Sequence, residues 1–220
     1  MNQIIDQKSI EIKKIYLLGN NQNKFITFLG LTKALAMDCE MVGVNHGGKD
    51  SILARASIVN QFGHCLYDKF VKPTDKVTDY RTKVSGIRPQ DIKDGEDFKE
   101  VQKEISDMLK GRILVGHSVH HDLKVLHLNH PKKMIHDTSS YKPFRVSFGN
   151  RTPSLKNLTA KMLGVTIQEG EHSSVQDAQA TMRLYTRVST IWEILEILKS
   201  ESISLKFWLK IFGKMVSDLL

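Results

Sequence analysis

Cysteine is scarce in this chain. Two thiols, Cys39 and Cys65, stand in 220 residues. They are too few for a disulfide framework, and both fall in apolar strand-like segments, so a reduced intracellular protein is expected. Long apolar runs are missing too. No stretch approaches the roughly 18 uncharged apolar residues of a membrane-spanning helix. The N-terminus does not read as a secretory signal: Asp6 and Glu11 come early, and Asn20-Asn21-Gln22-Asn23-Lys24 interrupts the apolar residues. There is no internal repeat and no long low-complexity tract. Acid is the minority charge, with 24 Asp+Glu against 32 Lys+Arg and a net charge of +8 at pH 7. That surplus favours a polyanionic partner such as nucleic acid.

What is present supports one folded domain with residues to spare. Hydrophobic residues make up 40% of the chain and charged residues 25%, which permits a buried core and argues against global disorder. The expected organisation is an unassigned N-terminal extension over 1–32, a main domain over 33–198 and an amphipathic C-terminal helix over 199–220. In that last segment Lys206, Lys210 and Lys214 recur every four residues among Trp208, Leu209, Phe212 and Met215. Within the main domain, 34–42, 52–59 and 65–71 read as strands. Asn60-Gln61-Phe62-Gly63 reads as a hairpin turn. Phe98, Val101, Ile105, Met108 and Leu109 share a helical face, with Gly111 as its stop. A short strand at 113–115, a helix over 119–126, a short strand at 134–135 and helices over 155–163 and 175–198 follow. Strands first, then strands alternating with helices, predicts a mixed α/β sheet flanked by helices.

Five residues stand out chemically. Asp38 and Glu40 lie two apart in an apolar strand, so both carboxylates face the same way. Such a pair loses hydration and repels unless a cation sits between them. Asp122 follows a buried strand in the first turns of a helix. His172 occupies a Gly/Ser-flanked loop, and Asp177 begins the next helix, sharing a face with Thr181 and Leu184. Each element alone has an ordinary explanation: a solvated strand end, a charge favoured by a helix N-terminus, a surface histidine. Together they can converge at one edge of a sheet. Hard oxygen ligands of this kind suit Mg²⁺ or Mn²⁺, and two such ions about 3.5–4 Å apart can activate a water and stabilise the leaving oxygen of a phosphodiester. A loop histidine titrating near neutrality can serve as the base. On this reading Asp38 and Asp177 hold the ion that positions the attacking water. A second cluster, His117, His120, His121, His127 and His130, invites zinc. Only His127 and His130 have helix-like ligand spacing, and no cysteine accompanies them, so neutral imidazoles are the better account.

The segments Ala36-Met37-Asp38-Cys39-Glu40-Met41-Val42-Gly43, Gly116-His117 to Asp122-Leu123, and His172 to Asp177 resemble the three exonuclease motifs of the DEDDh group. The similarity is closer still to its RNA exonuclease 4 and interferon-stimulated exonuclease branch. The connecting blocks Thr78 to Ile87, Ile135-His136-Asp137-Thr138, Tyr141-Lys142-Pro143-Phe144 and Gln176 to Tyr185 carry that branch's flavour. The resemblance runs in order over about Lys33 to Val188. It implies an RNase H-like fold and removal of nucleotides in the 3′→5′ direction. It makes Asp38, Glu40, Asp122 and Asp177 the metal-binding carboxylates, with His172, five residues before the last Asp, as general base. It also supports a substrate role for Met41. Arg81 is a candidate phosphate or base contact, and His117 a candidate to orient Asp122 or the substrate strand. Arg145, Arg151, Lys156 and Lys161 are candidates for a basic rim.

The expected activity is a metal-dependent 3′→5′ exoribonuclease using two Mg²⁺ or Mn²⁺ ions and releasing 5′-nucleoside monophosphates. Its expected partner is single-stranded nucleic acid with a free 3′ end, RNA favoured, with no membrane partner. The resemblance implies ribosomal RNA processing and a nuclear or nucleolar location. Two rivals stay open: an exonuclease that prefers DNA, and a catalytically silent nucleic-acid-binding module.

Overall fold

The computed structural model describes the chain over residues 30–200, with side chains over 30–196. Most of the expected N-terminal extension, and the helix carrying Lys206, Lys210 and Lys214, lie outside the described residues. No helix among the described residues is long and apolar enough to cross a membrane.

The domain is built around strand β1 (Ala34–Val44). It pairs antiparallel with β2 (Asp50–Asn60), which pairs antiparallel with β3 (Cys65–Phe70). The β2–β3 turn is the one the sequence predicts. The Asn60 side chain accepts from the backbone N–H groups of Phe62 and His64, and Gly63 takes a φ of 82°, which glycine adopts without steric cost. On its other side β1 pairs parallel with β5 (Ile113–Gly116), and β5 pairs parallel with β6 (Ile135–Asp137). The order is β3-β2-β1-β5-β6, with the short strand β4 (Val77–Asp79) joining β1 at Gly43 and Val44. This is the mixed sheet the sequence predicts.

Four helices follow the predicted segments: α3 (Phe98–Leu109), α4 (His120–Val125), α6 (Leu155–Leu163) and α7 (Ser174–Ser200). The α3 helix begins where the Asp97 carboxylate accepts from the N–H groups of Lys99 and Glu100. It buries Val101, Ile105 and Leu109, one stripe at four-residue spacing. Three short helices, α1 (Thr82–Ser85), α2 (Pro89–Lys93) and α5 (Lys142–Val146), and strand β4 go unread in the sequence. None is long enough to display a hydrophobic period.

Alternation along β1 divides the core. Leu35, Met37 and Cys39 pack with α3 and with Leu123 and Leu126 on one face. Ala34 and Ala36 pack with α6 and α7 on the other, among Phe144, Leu158, Ala178 and Met182. The small alanines let α7 come close to the strand. Pairing between β1 and β5 ends at Ala36–Val115, and β4 takes up the same side of β1 only at Gly43. Between these points the edge of β1 is open, and that opening positions the site.

Candidate active site

Asp38 and Glu40 continue the face begun by Ala34 and Ala36, toward the start of α7. Asp177, in the first turn of α7, meets them there. Each of the three carboxylates has an oxygen within 4.8 Å of the others. Glu40 and Asp177 are buried, and Asp38 is partly open. A chain of hydrogen bonds fixes the start of α7 to the sheet. Ser57 lies opposite Asp38 on β2 and donates to Asp68 at 2.8 Å. With its proton so committed, Ser57 accepts from the buried Ser174 hydroxyl at 2.7 Å. Arg55, opposite Glu40, donates two 2.7 Å bonds to the same Asp68. A cation is thus held beside the acids without being spent on them.

Asp122 arrives from the other side of the sheet. Its Oδ1 accepts from the Cys39 N–H at 3.0 Å across the open edge of β1, where a strand partner would otherwise stand. The turn before α4 is held by Asp137, whose carboxylate accepts from the N–H groups of Ser118 and Val119 at 2.9 and 3.1 Å. One oxygen of Asp122 is therefore used in placing it, and it lies outside the close group of three.

Burial is the main force on all four acids, pushing each pKa upward. Asp38 is raised well above the carboxylate range by burial, then by Asp122, Asp177 and Glu40. Glu40 is pushed up to about 8 by burial and then by Asp177, with Arg55 opposing. Asp122 is pushed up to about 7 by burial, with the Cys39 bonds opposing. Asp177 is raised by burial, with the Gln168 bond and His172 opposing. Two buried oxygens, Glu40 Oε1 and Asp177 Oδ1, have no hydrogen-bond partner. A buried carboxylate oxygen without a donor is costly. A hard divalent cation, which takes oxygen ligands and displaces protons from them, satisfies both. The residues present fit such an ion.

His172 stands at the mouth. Its backbone N–H donates to the Val84 carbonyl of α1 at 2.8 Å, while its ring, 31% exposed, brings Nδ1 to 3.8 Å from Asp177 Oδ2. Gly86 closes tightly on this loop: a Cβ there would sit 3.1 Å from the His172 carbonyl oxygen, on a backbone with φ +68°. The histidine is thus pinned by its backbone and open at its ring.

The expected substrate residues are placed less simply. Met41 follows Glu40 and is half-buried beside the Leu35–Met37–Cys39 cluster. Arg81 has a left-handed backbone, φ 50°, and its guanidinium donates to Ser51 Oγ and the Gly48 carbonyl, both at 2.8 Å. Both His117 nitrogens are engaged within the protein, Nδ1 with Thr138 Oγ1 at 3.0 Å and Nε2 with the Pro153 carbonyl at 3.1 Å. Burial lowers its pKa. Its ring joins β5 to β6 and to the approach of α6 rather than reaching the acids. In the histidine cluster, the His120 and His121 rings lie 3.9 Å apart, tilted by 40°, and His130 faces the Arg112 carbonyl.

The sequence reading missed Arg55, Ser57, Ser174 and Gln168. The first two carried a findable signal, since β2 pairs with β1, but the register has a bulge between Glu40 and Met41. Counting back from the β1–β2 turn sets Ala56 opposite Asp38; the bulge moves Ser57 there. Gln168 had no signal, for it sits in an irregular loop.

Known proteins match this arrangement. The pattern of the RNase T exonuclease family fits residues 35–185. The RNA exonuclease 4 of Xenopus laevis is 59% identical over 194 residues, 88% of this chain and 45% of that protein. That of Mus musculus is 63% identical over 166 residues, 76% of this chain and 38% of that one. The Saccharomyces cerevisiae protein of the same name is 56% identical over 162 residues, 73% of this chain and 56% of that one. The chain spans only 38–56% of the length of these relatives. Among solved structures, the S. cerevisiae Pan2 pseudoubiquitin hydrolase–RNA exonuclease module with A7 RNA superposes with a TM-score of 0.64 at 26% identity, covering 84% of this chain and 35% of that one. The sheet order, the helices on both faces and the gathered acids agree with the RNase H-like fold implied by the motifs. With a family pattern spanning most of its length and relatives well over half identical, the chain belongs to the RNase T family of exonucleases.

Proposed function

We propose that this protein is a 3′→5′ exoribonuclease dependent on Mg²⁺ or Mn²⁺, and that it releases 5′-nucleoside monophosphates. The observation that carries this reading is the convergence of Asp38, Glu40 and Asp177, with two buried oxygens lacking donors, under a histidine at the mouth. Asp38, Glu40 and Asp177 would hold a divalent ion, and Asp122, bonded to the Cys39 N–H beside them, would be a further ligand of the site. Bound there, such an ion supplies Lewis-acid stabilisation of the phosphodiester oxygens and a more acidic water.

His172 would accept a proton from the attacking water at Nε2, the ring nitrogen not facing Asp177. Its pinned backbone keeps the ring near the acids while part of it stays open to solvent. Met41 lies under the terminal nucleotide. Arg81 shapes the adjoining loop through Gly48 and Ser51. His117 acts on the strand path indirectly, by holding β5, β6 and the approach of α6 together. Exposed Arg145, Arg151 and Lys156 offer a rim for backbone phosphates. The exonuclease domain is read as 33–198.

RNA is favoured as substrate because the relatives reported above are named RNA exonucleases and the Pan2 module is seen in complex with A7 RNA. Ribosomal RNA processing and a nuclear or nucleolar location extend the same reading, on the resemblance to the RNA exonuclease 4 branch. Timed digestion of matched end-labelled single-stranded RNA and DNA, with Mg²⁺, Mn²⁺ or a chelator, tests it. Stepwise shortening of RNA from its 3′ end, stopped by the chelator, is expected. Faster cleavage of DNA overturns the RNA preference. Retention of RNA with no mononucleotide released in Mn²⁺ makes the chain a binding module.

A further inference from the structure

Gln168 lies outside every motif, yet it touches the site. Its Nε2 donates to Asp177 Oδ2 at 2.7 Å. Only the NH₂ end of the amide can donate, so a carboxylate partner fixes which way it points. The residue is held unusually. Its backbone takes a left-handed φ of 56°, uncommon for a residue other than glycine, asparagine or aspartate. Its carbonyl accepts from Lys156 Nζ at 2.8 Å, and the preceding Ile167 is buried in the core beside α7. Strain kept in place by surrounding contacts is characteristic of functional positions.

The oxygen that Gln168 takes is the one facing His172 Nδ1 at 3.8 Å, and the other, Oδ1, is buried without a partner. We propose that Gln168 is a positioning residue for the metal-binding side of Asp177. Its amide clamps Oδ2 and stops the carboxylate from rotating. Oδ1 is thereby presented to the ion shared with Asp38 and Glu40. The proposal rests on the reading of Asp177 as a ligand. Partners that orient a metal ligand typically matter by about 10–100-fold in metal affinity.

The test is a calorimetric Mn²⁺ titration of the full chain without nucleic acid, on the wild type, Gln168→Ala, Gln168→Met and Asp177→Ala. Gln168→Met keeps the length of the side chain and serves if the alanine variant folds poorly. Both Gln168 variants are expected to bind Mn²⁺ about 10-fold more weakly, and to regain the wild-type kcat at saturating Mn²⁺ with KM for RNA unchanged. Gln168→Glu sets a second negative charge against Asp177 Oδ2 and is expected to bind more weakly still. Glu169→Ala, an exposed neighbour, should match the wild type. A lowered melting temperature with unchanged Mn²⁺ affinity means a merely structural role and overturns the proposal, as does tighter binding by Gln168→Glu. If Asp177→Ala loses Mn²⁺ while Gln168→Ala keeps it, this inference alone fails. If Asp177→Ala binds Mn²⁺ like the wild type, the ligand reading fails beneath it.

Discussion

Strand β1 carries two environments on one stretch of backbone. From Ala34 to Met37 every side chain is buried among apolar neighbours, and at Leu35 and Ala36 β2 pairs on one side and β5 on the other. From Asp38 to Glu40 the alternation and the β2 pairing continue, but β5 has ended, and carboxylates stand where the alanines stood. The first half stabilises the fold and has no chemistry. The second half is costly to bury and has no structural purpose that alanine would not serve better. Placing the costly half next to the stable one gives the acids a rigid support, and the end of β5 gives Asp122 a way in. A site of this kind sits where a sheet opens, at the seam between a finished core and an unfinished edge.

Substitution separates the two halves. Asp38→Asn should reduce RNA turnover by about 10³-fold or more, because metal assistance is worth several kcal/mol of the barrier. Single-turnover digestion with Mn²⁺ reads the effect, and circular dichroism should show an unchanged fold. Near-wild-type rates would dissolve the distinction. His172→Ala should lower kcat by about 10²–10⁴-fold, the usual scale for a general base. Its RNA affinity, measured by filter binding, and its Mn²⁺ affinity should stay within a few-fold of wild type. Met37→Ala, one residue from Asp38 but on the opposite face, should behave in the reverse way. It should lose about 2–5 kcal/mol of stability in urea denaturation, as a truncation of a fully buried side chain does, while the folded fraction retains its kcat.

The smallest effect concerns pH. Glu40 and Asp122 carry folded-state pKa values of about 8 and about 7, above their ordinary values of 4.5 and 3.8. Without metal the folded chain therefore holds protons more tightly than the unfolded one. The stability this confers is complete below the ordinary values. It is lost as pH rises toward the folded ones, at no more than about 1.4 kcal/mol per pH unit for each group. Melting temperature in chelator should fall between about pH 5 and about pH 8. With Mn²⁺ the trend should flatten or reverse, since the ion needs the ionised acids and competes with protons for them. A melting temperature that rises with pH in chelator would show that these acids are not held in the way their burial demands.

Much of the site was legible because its signals are local. A period of two sends Asp38 and Glu40 to the same side in any strand, and β1 is apolar enough to be read as one. Five residues separate His172 from Asp177 across a loop and a helix start, so their proximity needs little tertiary information. The helical face of α3 was legible for the same reason. Arg81 and His117 show the opposite case. Their positions beside the motifs suggested contact with substrate, but the guanidinium is tied to Gly48 and Ser51, and both imidazole nitrogens bond to Thr138 and Pro153. A residue's place in the chain says nothing about which of its hydrogen-bonding groups are already taken.

The chain's own letters determined the family, the mixed sheet and the five candidate site residues, because periodicity and short spacings act over a few residues and survive any packing. Only the tertiary structure decided which atoms are free to act. The bulge that sets Ser57 and Arg55 opposite Asp38 and Glu40, the early end of β5 that lets Asp122 bond to Cys39, and the reach of Gln168 to Asp177 all depend on contacts between distant segments. A shift of one residue in strand register moves every side chain to the opposite face, and no local pattern records whether that shift occurs.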